Sequence, residues 1–74
     1  MVPLSSLAPG PQATVLRIDI PVAQRVRLME MGMLPGTVVD VVRFAPLGDP
    51  LEIRLRGYHL SLRKRDAEQI WVQP

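Results

Sequence analysis

The chain has 74 residues, no cysteine, and nine basic against seven acidic side chains, with 47% of residues apolar. That length admits one domain with a small core, and the lack of cysteine excludes disulfides, thiolate zinc sites, iron–sulfur clusters and thiol chemistry. A net charge of +2 is too balanced for a dedicated polyanion binder, and only Arg63-Lys64-Arg65 forms a local basic cluster.

No apolar run approaches the roughly 18–20 residues of a membrane span. Met1-Val2-Pro3-Leu4 lacks the basic segment and long apolar core of a signal peptide, so a cytoplasmic protein is expected. Pro3, Pro9, Gly10 and Pro11 mark an irregular N-terminal lead in which Leu4 and Leu7 can anchor one helical turn. Gln12 to Ile18 then reads as a strand, with Val15, Leu16 and Ile18 supplying β-prone bulk. Asp19 is placed to cap a helix, and Pro21 suits its first turn, where an N–H has no intrahelical partner. The expected helix runs from Pro21 to Met31, with Gly32 as its left-handed stop.

Leu34-Pro35-Gly36-Thr37 carries the chemistry of a type II turn, proline second and glycine third. A strand from Thr37 to Phe44 comes next, then a loop, Ala45-Pro46-Leu47-Gly48-Asp49-Pro50. Leu51 to Arg56 reads as the next strand, because Leu51, Ile53 and Leu55 alternate with Glu52, Arg54 and Arg56. If Gly57-Tyr58 is a two-residue hairpin loop of type II′, Leu55 faces Leu60, Ile53 faces Leu62 and Glu52 forms an ion pair with Arg63. A turn on Arg56-Gly57 also aligns the apolar faces but puts arginine at positive φ, so the first register is preferred. Asp66 to Gln69 is expected as a short turn and Ile70-Trp71-Val72 as a last strand. The sum is a mainly β fold, a small, partly open SH3-like barrel of about five strands with one helix after the first strand, occupying residues 1–74 as a single domain.

The run Arg27-Leu28-Met29-Glu30-Met31-Gly32-Met33-Leu34-Pro35-Gly36 resembles the signature of FeoA domains. Ala45 to Pro50 resembles that family's loop, and Gly57, Leu60, Leu62, Arg63 and Ala67 fall at its spacing. Leu4-Ser5-Ser6-Leu7 and Ile70-Trp71-Val72 also fit, so the resemblance covers nearly the whole chain. It implies an SH3-like barrel and a cytosolic accessory role in bacterial ferrous-iron uptake. The implied action is protein–protein contact with a membrane iron transporter that carries a cytosolic GTP-binding domain, the membrane being reached only through that partner. A looser form of the motif occurs in the C-terminal domain of iron-dependent repressors, which makes a repressor module the alternative.

Catalysis is not expected: the chain has one histidine and no phosphate loop or nucleophile elbow, and no cofactor is implied. Fe(II) suits imidazole and carboxylate ligands, which leaves His59 as the one weak metal candidate, although its expected neighbours are arginines. Met29, Met31 and Met33 resemble a soft-metal set, yet thioethers favour Cu(I), and helical packing explains them more simply.

On the helix, Val22, Val26 and Met29 share one stripe and Leu28 and Met31 another, with Arg25 between them. Leu28 and Met31 are assigned to the core. Val22, Val26 and Met29 are then either an exposed surface for a partner or weak self-association, or are covered by the N-terminal lead and the Pro46 loop. The expected partner-binding residues are Val22, Arg25, Val26, Met29, Pro46, Leu47 and Asp49. Gly32, Pro35, Gly36 and Gly57 are expected to set turn geometry. A small nucleic-acid-binding barrel is the rival from another class, but no nucleic acid is expected: only three aromatics are present, too few for a base-stacking face. The same shortage argues against a proline-peptide groove.

Overall fold

The structure is a computed structural model that describes residues 1–74. Six strands form one antiparallel open sheet in the order β1-β6-β2-β3-β4-β5. They are β1 (Val2–Pro3), β2 (Gln12–Ile18), β3 (Val38–Phe44), β4 (Leu51–Leu55), β5 (Tyr58–Leu62) and β6 (Ile70–Gln73). Helix α1 (Val22–Glu30) comes after β2, and a single turn, α2 (Lys64–Ala67), links β5 to β6. The sixth strand beyond the expected five is β1, which pairs with β6 through Val2–Val72 and Pro3–Trp71. A 3-10 turn, Leu4–Ser6, then drops the fully buried Leu4 into the core.

Sixteen buried residues, all aliphatic or methionine, make one cluster. Alternation supplies most of it: Leu51, Ile53 and Leu55 point inward from β4, and Val39 and Val41 from β3. Two bulges break the period. One, between Val15 and Arg17, leaves Leu16 and Arg17 both on the outside of β2. The other, between Val41 and Arg43, lets β3 carry the extra residue Val42. An inserted residue bends its strand and adds twist, which curls a sheet this narrow around its core.

Helix α1 ends in a hydrogen-bonded cap. Gly32 N–H donates to Met29 O at 3.0 Å and Met33 N–H to Leu28 O at 2.9 Å, with Gly32 at φ +101°. This is the Schellman arrangement, and its hydrophobic member is Met33, which is fully buried at the helix end where Leu28 is also buried. The Thr37 hydroxyl donates to Gly32 O at 3.1 Å and accepts from Leu34 N–H at 3.3 Å. Across the Pro35-Gly36 turn, Thr37 N–H donates to Leu34 O at 2.9 Å with Gly36 at φ +93°.

Three expectations need correction, and a fourth needs an addition. The β4–β5 hairpin turns on Arg56-Gly57, not Gly57-Tyr58: both residues have positive φ, 48° and 83°, and Leu55 pairs with Tyr58, Ile53 with Leu60 and Leu51 with Leu62. Two positive values are the mark of a type I′ turn, whose twist matches its strands. This register keeps all of β4 paired, whereas the other would have set Leu51 opposite Lys64. Glu52 therefore faces Ser61, and the expected Glu52–Arg63 ion pair does not form. Second, Met31 is 39% exposed while Leu28 is buried, because the chain reverses at Gly32 and sends Met33 into the space under the helix. Third, α1 has no side-chain cap; Pro21 precedes its first residue, and Asp19 instead accepts from Arg17 Nε at 2.8 Å. Fourth, the turn expected at Asp66–Gln69 is present, closed by Gln69 N–H to Asp66 O at 3.0 Å, but it follows directly on a helical turn that was not expected, α2, which begins at Lys64.

Candidate functional site

The outer face of α1 carries a contiguous apolar stripe. Val22, Val26 and Met29 are 63%, 47% and 38% exposed. The N-terminal lead lies elsewhere, paired with β6 at Val2–Pro3 and bonded to β3 where Gly10 N–H donates to Val41 O at 3.0 Å, and the Pro46 loop does not cover this stripe. Val26 and Met29 form one wall of a cleft whose other wall is Leu16 and Ile18 of β2, with Pro35 closing an end. Arg25, partly buried, and Arg17 flank it. Arg17 is bound to Asp19 at 2.8 Å, whereas no carboxylate pairs with Arg25. The cleft thus presents aliphatic side chains with one unpaired guanidinium at its edge.

Each wall has a local cause. Val22, Val26 and Met29 share one stripe of α1, turned roughly 100–160° from Leu28, whose burial fixes the rotation of the helix, and Arg25 lies on the flank between the two. Leu16 is exposed because the β2 bulge turns it outward. Sequence reading assigned Leu16 to strand bulk and missed it as a site residue. The signal was present: Val15 and Leu16 are adjacent, and neighbours on a regular strand cannot both face the core.

Pro46, Leu47 and Asp49 do not line this cleft. Leu47 is 96% exposed at the tip of its loop. Asp49 has a structural partner, since its Oδ1 accepts from the Lys64 N–H at 2.9 Å. That satisfies a free amide at the start of α2 and ties the loop to the far end of β5.

His59 lies on the outer face of the hairpin opposite Arg54, with its Nδ1 3.8 Å from Glu52 Oε2. Arg54 itself donates from Nε and Nη2 to the buried Asp40 carboxylate at 3.3 and 3.2 Å. No three His, Cys, Asp or Glu side chains converge to hold a metal ion. No helix is long and apolar enough to cross a membrane.

The FeoA domain model matches residues 2–74. The chain is 41% identical over 70 residues to an Fe(2+) transport protein A/Fe(2+) transporter FeoB fusion protein of Porphyromonas gingivalis; the match covers 95% of this chain and 8% of that much longer protein. Among solved structures it is similar to the FeoA protein of Chlorobium tepidum, with 42% identity, a TM-score of 0.94, and coverage of 97% of this chain and 69% of the other. The FeoA of Stenotrophomonas maltophilia, described as a prokaryotic SH3-domain protein complexed with zinc, shares 30% identity at a TM-score of 0.81, covering 95% and 87% of the two chains. The six-stranded antiparallel sheet, the family match over nearly every residue and relatives above 40% identity agree that this chain belongs to the FeoA family, small SH3-like accessory domains associated with ferrous-iron transport.

Proposed function

We propose that the domain, residues 1–74, is a cytosolic accessory module of ferrous-iron uptake that acts by direct contact with the GTP-binding cytosolic domain of the membrane iron transporter. The observation that carries the reading is the exposed aliphatic stripe of α1 beside Leu16, with Arg25 at its edge. A contiguous apolar cleft with one flanking guanidinium has the composition of a protein-contact surface rather than of a reaction site. The fused relative adds a reason for the choice of partner, since one chain there carries both components. Val22, Arg25, Val26 and Met29 form the primary contact. The loop at Pro46 and Leu47 is a second, with Asp49 holding it in position.

The test is a titration of isotope-labelled domain with the transporter's GTP-binding domain, monitored by amide NMR shifts. Localised shifts at Val22–Met29 and Leu16 are expected. Shifts confined to other faces, or none at high micromolar partner, would reject this surface as the point of contact.

A further inference from the structure

β5 is an edge strand with one neighbour, β4. The two-residue turn decides which half of its backbone is used. Tyr58 and Leu55 form the closing pair of the hairpin, so Tyr58, Leu60 and Leu62 direct their N–H and C=O groups to β4. His59 and Ser61 direct theirs outward, and both residues are exposed. Edges of this kind are commonly blunted by a bulge, a proline or a covering element. β5 pairs in unbroken register and contains no proline.

Along this edge runs a groove whose opposite wall is α1. Leu28, Met31 and Leu60 give it an apolar floor, and Arg27 and Arg63 stand on its two rims, with Asp66 at one end. Neither arginine belongs to any of the chain's three ion pairs. The groove shares no lining residue with the Leu16–Met29 cleft.

We propose that this groove binds an extended acidic–aliphatic segment of a partner protein, which adds to β5 as a further strand. Backbone groups of the segment pair with those of His59 and Ser61, its alternate aliphatic side chains rest on Leu28, Met31 and Leu60, and its carboxylates meet Arg27 and Arg63. Main-chain pairing supplies affinity in such strand addition and alternate side chains supply selectivity. The charge of the groove selects the occupant: two unpaired guanidinium groups against one carboxylate favour an acidic strand. A second copy of this chain is the poorer occupant, because its β5, Tyr58–Leu62, has no carboxylate to offer either arginine. The inference is independent of which transporter domain the α1 stripe contacts.

The probe is an acetylated, amidated octapeptide alternating valine and glutamate, titrated into the labelled domain. Saturable amide shifts at Tyr58–Arg63 and Arg27–Met31, with a Kd of roughly 1 mM or tighter, are the expected result. They should come with slowed hydrogen exchange at His59 and Ser61. A peptide with lysine in place of glutamate should not bind, and one N-methylated at alternate residues should lose binding in the register that blocks pairing. Arg27→Glu combined with Arg63→Glu, both exposed and unpaired, should leave the β2 and β3 amides unmoved and weaken binding at least about tenfold. Equal binding of the double variant, shifts centred on Val26 and Met29 instead, or no shift at millimolar peptide would overturn the proposal. So would β5 shifts that grow with domain concentration alone, which would identify a second copy as the occupant.

Discussion

The side chain of Arg56, at the tip of the β4–β5 hairpin, lies across Gly32, the residue that stops α1. A Cβ built on residue 32 would stand 3.1 Å from Arg56 Cδ and 3.4 Å from Tyr58 Oη. Gly32 therefore serves two ends: its φ of +101° turns the chain toward Met33, and its missing side chain admits the hairpin. Gly32→Ala should destabilise the domain by about 1–2 kcal/mol through the backbone alone. The Arg56 side chain is flexible enough to yield, so the contact adds little more. Urea unfolding should show a lower midpoint with an unchanged slope.

Arg56 itself holds φ 48° in the first position of a type I′ turn. Asparagine tolerates that conformation far better than arginine. Arg56→Asn should raise stability by roughly 0.5–1 kcal/mol, seen as a higher thermal midpoint. A fall in the midpoint would mean that the packing of Arg56 on Gly32 outweighs its backbone strain.

Leu28 and Met31 separate the buried side of α1 from the open one. Leu28→Ala removes a buried side chain and should cost about 2–4 kcal/mol. Met31→Ala, at a position 39% exposed, should cost under about 1 kcal/mol. Comparable losses in the two variants would place Met31 in the core after all.

Asp49 fastens the Ala45–Pro50 loop to α2 through the Lys64 amide. Asp49→Ala should lower stability by about 1 kcal/mol, the usual worth of a side-chain cap. Its sharper signature is faster hydrogen exchange at Lys64, with exchange in β2 and β3 tracking only the global change.

Val22 and Val26 are the most exposed large apolar residues on α1. Val22→Ser with Val26→Ser should shift stability by no more than about 0.5 kcal/mol for each site. The same pair should weaken binding to the transporter's GTP-binding domain by at least about tenfold, roughly 1.4 kcal/mol. Titration calorimetry measures the second effect and urea unfolding the first. Unchanged affinity would leave the α1 stripe without a role in the contact.

Local chemistry was legible in the sequence wherever one residue and its immediate neighbours decide the outcome. The inward alternation of Leu51, Ile53 and Leu55, the Gly32 stop and the Pro35-Gly36 turn each arise from side-chain type and φ preference over a few positions. The limits of β2 and the existence of α1 belong to the same class. The hairpin register does not, because its two candidates differ by a shift that preserves the alternation and pairs apolar with apolar in both. What separates them is contact with the rest of the fold: the observed register pairs Leu51 with Leu62 and rests Arg56 and Tyr58 on Gly32. Met31 was displaced from the core for a similar reason, as Met33 returns beneath the helix and fills that space. The candidate sites lie further still from the sequence. Val26 and Met29 on α1 meet Leu16 only because a bulge turns β2 outward, and Arg27 faces Arg63 only because α1 runs beside β5. Periodicity specifies which side of an element is apolar, whereas only the packed sheet determines which two elements share a groove.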